Sequence, residues 1–213
     1  RFCFRQDRVG AKGPSAEQLA QALDYIRSHR EIREVILTGG DPLMLPAKKL
    51  QALLNELAAI AHIKSLRIHS RVPVAAPNRI TPGLARLLGR VPKPVYLVMH
   101  VNHAREITPE ALAGFERLRR AGVALFSQSV LLRGVNDSVE TLEELFSNLL
   151  AAGVKPYYLH HPDKVTGTGH LRLSLAEGRA LIRALRPRLS GLAMPVYILD
   201  QPGGAGKIPG EIA

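Results

Sequence analysis

A single cysteine, Cys3, stands in 213 residues. That excludes a disulfide framework and any metal centre built from several thiolates of this chain. Tryptophan is absent and aromatic residues make up only 5%, which argues against the stacking platform of a single-strand nucleic-acid binder. No apolar run approaches the roughly 18 residues of a membrane span, and no signal peptide is visible. A cytoplasmic location with no membrane partner is therefore expected. The chain opens on Arg1 rather than Met, and that start reads as a cut. With 46% hydrophobic and 22% charged residues, there is enough apolar surface for one ordinary domain or a large piece of a bigger one.

What is plentiful is positive charge. Lys and Arg number 29 against 18 Asp and Glu, a net +11. Such a balance suits an acidic partner, but the basic residues are scattered. Arg117, Arg119 and Arg120 fall on one helical stretch and Arg179, Arg183, Arg186 and Arg188 on another. With no basic run and no nucleic-acid motif, most of this charge reads as solvated surface and no nucleic-acid partner is expected. Arginines near strand ends (Arg67, Arg71, Arg79 and Arg133) are candidates for binding carboxylate or phosphate, where the planar guanidinium fork fits.

Short apolar or β-branched runs alternate with amphipathic stretches. Strands are expected at Glu34–Thr38, Ser65–Ser70, Val95–Val101, Ala124–Val130, Lys155–His160 and Val196–Leu199. Helices are expected at Ser15–His29, Ala47–Ala61, Pro82–Leu88, Pro109–Ala121, Val139–Ala152 and Ser174–Leu185, with Gly122 and Gly153 as helix stops. This alternation implies parallel strands with right-handed crossovers, in an open doubly wound sheet or a (β/α) barrel. Polar residues end nearly every strand: Thr38–Asp41, His69–Arg71, His100–His103, Ser127–Ser129, His160–Asp163 and Asp200. A barrel gathers its strand ends around one mouth, so the pattern favours the barrel. The Gly- and Pro-rich tail from Gln201 to Ile212 reads as a loop.

Several motifs carry chemistry and also have plainer readings. Gly203-Gly204-Ala205-Gly206-Lys207 fails the phosphate-loop pattern, because Gln201 replaces its first glycine and Ile208 its Ser/Thr. It still presents a lysine suited to a Schiff base, or else a solvated lysine on a mobile loop. Thr38-Gly39-Gly40-Asp41-Pro42 offers flexible backbone and a carboxylate for an ammonium group, or is a simple turn. His100, His103, His160 and His161 with Asp163 could bind zinc or iron, or be structural. Asp163 and Asp200 could hold a cationic head group or pair with surplus arginines.

Taken together, these stretches resemble the lysine 2,3-aminomutase family of radical S-adenosylmethionine (SAM) enzymes, which includes mutases acting for elongation factor P. The carriers are Arg-Phe-Cys-Phe-Arg at 1–5, Leu-Thr-Gly-Gly-Asp-Pro-Leu at 37–43 and Arg-Ile-His-Ser-Arg-Val-Pro-Val at 67–74. They continue with His-Val-Asn-His at 100–103, Gln-Ser-Val-Leu-Leu-Arg-Gly-Val-Asn-Asp at 128–137, Pro-Tyr-Tyr-Leu-His-His-Pro-Asp at 156–163 and Asp-Gln-Pro-Gly-Gly-Ala-Gly-Lys-Ile-Pro at 200–209. The resemblance implies a partial (β/α) TIM-like barrel of the radical SAM type, a single domain over 1–213 whose segment 201–213 is a Gly-rich lysine loop for pyridoxal 5′-phosphate (PLP). Cys3 falls on the third cysteine of the family's Cys-x3-Cys-x2-Cys motif. The first two positions and the N-terminal cluster strand would precede Arg1, and the family's C-terminal extension would follow the lysine loop. The piece alone is then expected to be inactive and prone to aggregate.

The resemblance also implies roles. Cys3 ligates a [4Fe–4S] cluster. Gly39, Gly40 and Asp41 receive the amino end of SAM, with His100 and Gln128 lining that site. Lys207 is the lysine that attaches PLP. Arg5 meets the substrate carboxylate, and Asp163 and Asp200 hold the distal ammonium of L-lysine. The implied enzyme is an isomerase moving the 2-amino group of L-lysine to C3, fed by an electron donor such as flavodoxin or ferredoxin, and a homo-oligomer. The alternatives are an elongation factor P-directed mutase, a metal-dependent barrel hydrolase and a nucleic-acid binder.

Overall fold

The computed structural model describes residues 13–200, 203 and 206–211. In chain order the elements are α1 (Ala16–Ser28), β1 (Glu34–Leu37), α2 (Ala47–Ala59), β2 (Ser65–Ser70), α3 (Val72–Ala75), α4 (Pro82–Gly89), β3 (Val95–His100), α5 (Pro109–Arg120), β4 (Ala124–Val130), α6 (Val139–Ala151), β5 (Lys155–His160), α7 (Leu175–Leu185), β6 (Val196–Asp200) and β7 (Lys207–Pro209). Hydroxyl side chains set most of the long helix starts. Ser15 and Ser174 each close a capping box, and Thr108 and Ser138 accept from the first turns of α5 and α6.

The seven strands lie side by side in chain order, and β1 through β6 are parallel. This order settles the architecture. A doubly wound sheet reverses direction at a switch point. Here every right-handed crossover steps the same way, so the helices cover one face and the sheet curls into a half-barrel. Strand parity follows. Leu66, Ile68, Leu97, Met99, Leu125 and Leu159 point to the helices and are buried, each contributing roughly 1.5–3 kcal/mol. Their alternates Arg67, His69, Tyr96, His100, Gln128 and His160 share the concave face by register.

One irregularity shapes that face. The β4–β5 register shifts between Ser127 and Gln128. Tyr157 and Tyr158, although successive, then stack with ring centroids 3.7 Å apart, and the Tyr157 hydroxyl donates to the Tyr158 hydroxyl at 2.8 Å. Phe126 meets both Tyr96 and Tyr157 edge-on, so an aromatic row crosses the sheet.

The tail departs from the loop expected of it. Lys207–Pro209 forms β7 and pairs antiparallel with β6, in a register that sets Lys207 opposite Asp200. Tyr197 anchors the segment. Its carbonyl accepts from the Gly210 N–H at 2.9 Å, and a Cβ on Gly210 would lie 2.6 Å from the Tyr197 ring. Only glycine fits there. Arg179 Nε adds a hydrogen bond to the Gly210 carbonyl at 2.8 Å.

Candidate functional site

The strand ends expected to converge do so. Thr38, Gly39, Gly40 and Asp41 from the end of β1, His69 to Arg71 from β2, His100, Gln128, His160, His161, Asp163, Asp200 and Lys207 line one cleft of about 400 Å³. Cys3 and Arg5 lie outside the described residues.

On the β1–β3 side the loop is shaped by hydrogen bonds. Gly39 has φ +118°, a conformation that side chains resist. Asp41 stands at the start of a short 3₁₀ turn. Its Oδ1 accepts from the Leu43 N–H at 3.0 Å and the Ser70 hydroxyl at 2.7 Å, and its Oδ2 from the N–H groups of Arg71 at 2.7 Å and Val72 at 3.2 Å. A carboxylate has about four acceptor positions, and all are taken by the protein. Asp41 therefore ties the end of β1 to the end of β2 and leaves the backbone of Thr38–Gly40 facing the cleft.

Of the four candidate arginines, three are engaged elsewhere. Arg67 pairs with Glu34 at 2.5 Å, Arg79 donates to the carbonyls of Leu43 and Met44, and Arg133 pairs with Glu177. Arg71 lines the cleft, steadied by Glu106 at 2.8 Å, whose other oxygen accepts from the N–H groups of Asn102 and His103.

Histidines fill the middle. Burial pushes His69, His100 and His160 each down to about 4, helped most by the charges of Arg67, Arg71 and Lys207 respectively. All three are neutral near pH 7. The Gln128 amide hydrogen-bonds the His100 ring. The Nε2 atoms of His69 and His160 are buried without a partner among the described residues, an arrangement that calls for a ligand or water. Sequence reasoning gave His69 no role. Its signal was parity: Arg67 and His69 alternate with the apolar Leu66 and Ile68 along β2.

The candidate metal-binding set is divided. His103 caps a 3₁₀ turn by accepting from the Arg105 N–H, and His161 Nδ1 lies 2.7 Å from the Tyr197 hydroxyl. Among the described residues no group of three His, Cys, Asp or Glu side chains is placed to hold a metal ion, so the metal-dependent hydrolase loses its ligand set.

On the β5–β7 side charges gather. Lys207 Nζ lies 3.2 Å from both oxygens of Asp200, and Asp200 Oδ2 lies 3.6 Å from His160 Nδ1. Burial raises the Asp163 carboxyl above its usual range, Asp200 adds to the rise and Lys207 opposes it.

Comparison with known proteins agrees with this geometry. The family model described as "Radical SAM superfamily" matches residues 1–146. The chain belongs to the radical SAM superfamily. It is 41% identical over 211 residues to a Methanococcus maripaludis protein named L-lysine 2,3-aminomutase, covering 98% of this chain and 48% of that protein. An Escherichia coli protein of the same name is 43% identical over 210 residues, covering 98% of this chain and 61% of its own. The chain spans about half the length of the first relatives it matches. Among solved structures, that of Streptococcus suis SuiB bound to S-adenosylmethionine superposes with a TM-score of 0.67 at 14% identity, covering 94% of this chain and 47% of that one, a likeness of fold.

Radical SAM membership implies SAM and a [4Fe–4S] cluster. The described residues fit SAM. The Gly39–Gly40 backbone is bare, and a Cβ on Gly40 would meet nothing within 4 Å, so a ligand can approach closely there. They also fit an aldehyde cofactor, with a lysine amine in the cleft wall and two histidine nitrogens lacking partners. No helix among them is long and apolar enough to cross a membrane.

Proposed function

We propose that this chain is the catalytic core of a PLP-dependent radical SAM aminomutase that moves the 2-amino group of L-lysine to C3, giving β-lysine. One observation carries the reading. A lysine amine and two carboxylates, Lys207 with Asp200 and Asp163, share a cleft with a bare Gly-Gly backbone loop. That combination suits a substrate with an amine to activate at one end and an ammonium to hold at the other. The names of the relatives support the same substrate.

When bound, the cluster and SAM would supply radical chemistry for hydrogen abstraction, and PLP would supply an aldehyde carbonyl for an amine. The residues of this chain do the rest. Lys207, fixed on β7, offers its nitrogen to that carbonyl. Asp163 and Asp200 receive the distal ammonium, and an acidic substrate would be repelled there. The backbone of Gly39 and Gly40 takes the amino end of SAM, within a loop that Asp41 holds in shape. His100 and Gln128 present a neutral hydrogen-bonding pair beside it. Arg71, which lines the cleft while paired with Glu106, is placed to meet an anionic group. The half-barrel wall keeps water from a reactive radical, and fixed placement keeps that radical on its target.

The test uses the complete gene product, reconstituted without oxygen and given SAM, PLP, a reductant and L-lysine. β-Lysine is expected by mass spectrometry from the parent and none from Lys207→Ala. SAM cleavage without β-lysine would overturn the substrate assignment.

A further inference from the structure

The ammonium site is already filled, by a group of the protein itself. Lys207 Nζ sits 3.2 Å from each oxygen of Asp200 and bears on Asp163 closely enough to oppose the rise in its pKa. The β5–β7 side of the cleft thus holds two carboxylates and one ammonium. Among the described residues, the other titratable groups that feel this pair are His160, 3.6 Å from Asp200 Oδ2, the Tyr158 hydroxyl, which senses the Asp200 charge, and His69, which senses that of Lys207. His160 is neutral near pH 7 and adds no cation. Lys207 is exposed to 38% and Asp200 to 40%, so the contact can exchange.

We propose that Lys207 is a built-in occupant of the Asp163–Asp200 ammonium site, which it vacates when its nitrogen is taken by a carbonyl compound. To be captured, the Lys207 ammonium gives one proton to solvent, its nitrogen turns toward the carbonyl carbon and forms the C=N bond, and the carbonyl oxygen leaves as water. These changes remove the ammonium that Asp200 holds. Two carboxylates then face the cleft without a cation, an arrangement that binds a ligand ammonium of one or two positive charges. Carbonyl capture and ammonium binding are therefore coupled, and the coupling is reciprocal: whatever factor capture adds to ammonium affinity, a bound ammonium adds to capture. The order of assembly follows, with carbonyl first and amine second, and an amine arriving early competes with Lys207. This rests on the ammonium-site reading of Asp163 and Asp200 given above.

The test measures n-butylammonium binding to the full protein, free of carbonyl compounds, by calorimetry or ligand-observed NMR. Lys207→Met and Lys207→Gln should each bind the probe about 3- to 10-fold more tightly than the parent, the range expected for losing a half-exposed competing ion pair. Adding Asp200→Asn to either variant should abolish the gain. In the reciprocal arm, trimethylammonium, which cannot condense with an aldehyde, should tighten capture of PLP by the parent, read from its visible absorbance. Equal probe affinity in parent and both lysine variants, with the Asp200 dependence intact, would overturn the occupancy and leave the ammonium site standing. No probe binding in any of them would overturn both. Using two lysine variants and an unmutated parent in the reciprocal arm keeps the result readable if one variant misfolds.

Discussion

The two sides of the cleft are built on opposite plans. On the β1–β3 side the carboxylate at the end of β1, Asp41, is saturated by four protein donors, and the Thr38–Gly40 loop it shapes presents backbone to the cleft. On the β5–β7 side Asp163, Asp200 and Lys207 present side chains that are partly exposed and joined by an ion pair that can exchange. The first plan fixes a shape and suits a cofactor bound in one pose. The second keeps charge in reserve and suits groups that change partner during turnover. Substitutions on the first side should therefore register as lost stability, and those on the second as lost function in a protein that still folds.

The largest expected effect sharpens the second half of that contrast. Lys207→Ala should abolish β-lysine formation, yet lower stability in urea by no more than about 1 kcal/mol, because an exposed pair contributes little to folding. A comparable loss of stability and activity would erase the distinction. The next tests the first half. Asp41→Asn keeps the shape but turns an amide NH₂ toward the N–H groups of Arg71 and Val72, or toward Leu43 N–H and the Ser70 hydroxyl if flipped. Donors then face donors, and urea denaturation should show a loss of about 2–4 kcal/mol.

Protonation probes the histidines between the two sides. His69, His100 and His160 have pKa values of about 4 in the folded protein, below the ordinary value of about 6.5 for the unfolded chain. Between those values the unfolded state binds more protons. Stability should fall as pH drops from about 6.5 toward 4 and be flat above 7, with up to about 1.4 kcal/mol per pH unit from each histidine. His69→Phe should flatten the slope by its share in urea melts taken across that window.

Much of this was legible in the sequence, and the failures have physical causes. The six parallel strands show as runs of apolar residues, and the polar residues at their C-terminal ends anticipated one mouth. The tail was misread because β7 owes its existence to pairing with β6 and to Tyr197 packed against Gly210, neither of which a Gly/Pro-rich segment advertises. Sorting Arg71 from Arg67, Arg79 and Arg133 required knowing where Glu34, Glu177 and the carbonyls of Leu43 and Met44 lie. The satisfied carboxylate of Asp41 was likewise invisible, since three of its four donors come from a different strand end.

The smallest expected effects come from neighbouring glycines, and they divide shape from access. Gly39 has φ +118°, so Gly39→Ala forces a side chain into a disfavoured conformation and should cost about 1–2 kcal/mol in urea denaturation. Gly40 has no such φ, and a Cβ there would meet nothing within 4 Å. Gly40→Ala should therefore change stability by less than about 0.5 kcal/mol, while the added methyl intrudes on the space into which the cleft opens. SAM affinity measured by equilibrium dialysis should then fall in a protein that melts like the parent. Equal SAM affinity for the parent and Gly40→Ala would mean that the Gly-Gly backbone is bare for folding reasons alone, and the β1–β3 side would lose its claim to the cofactor.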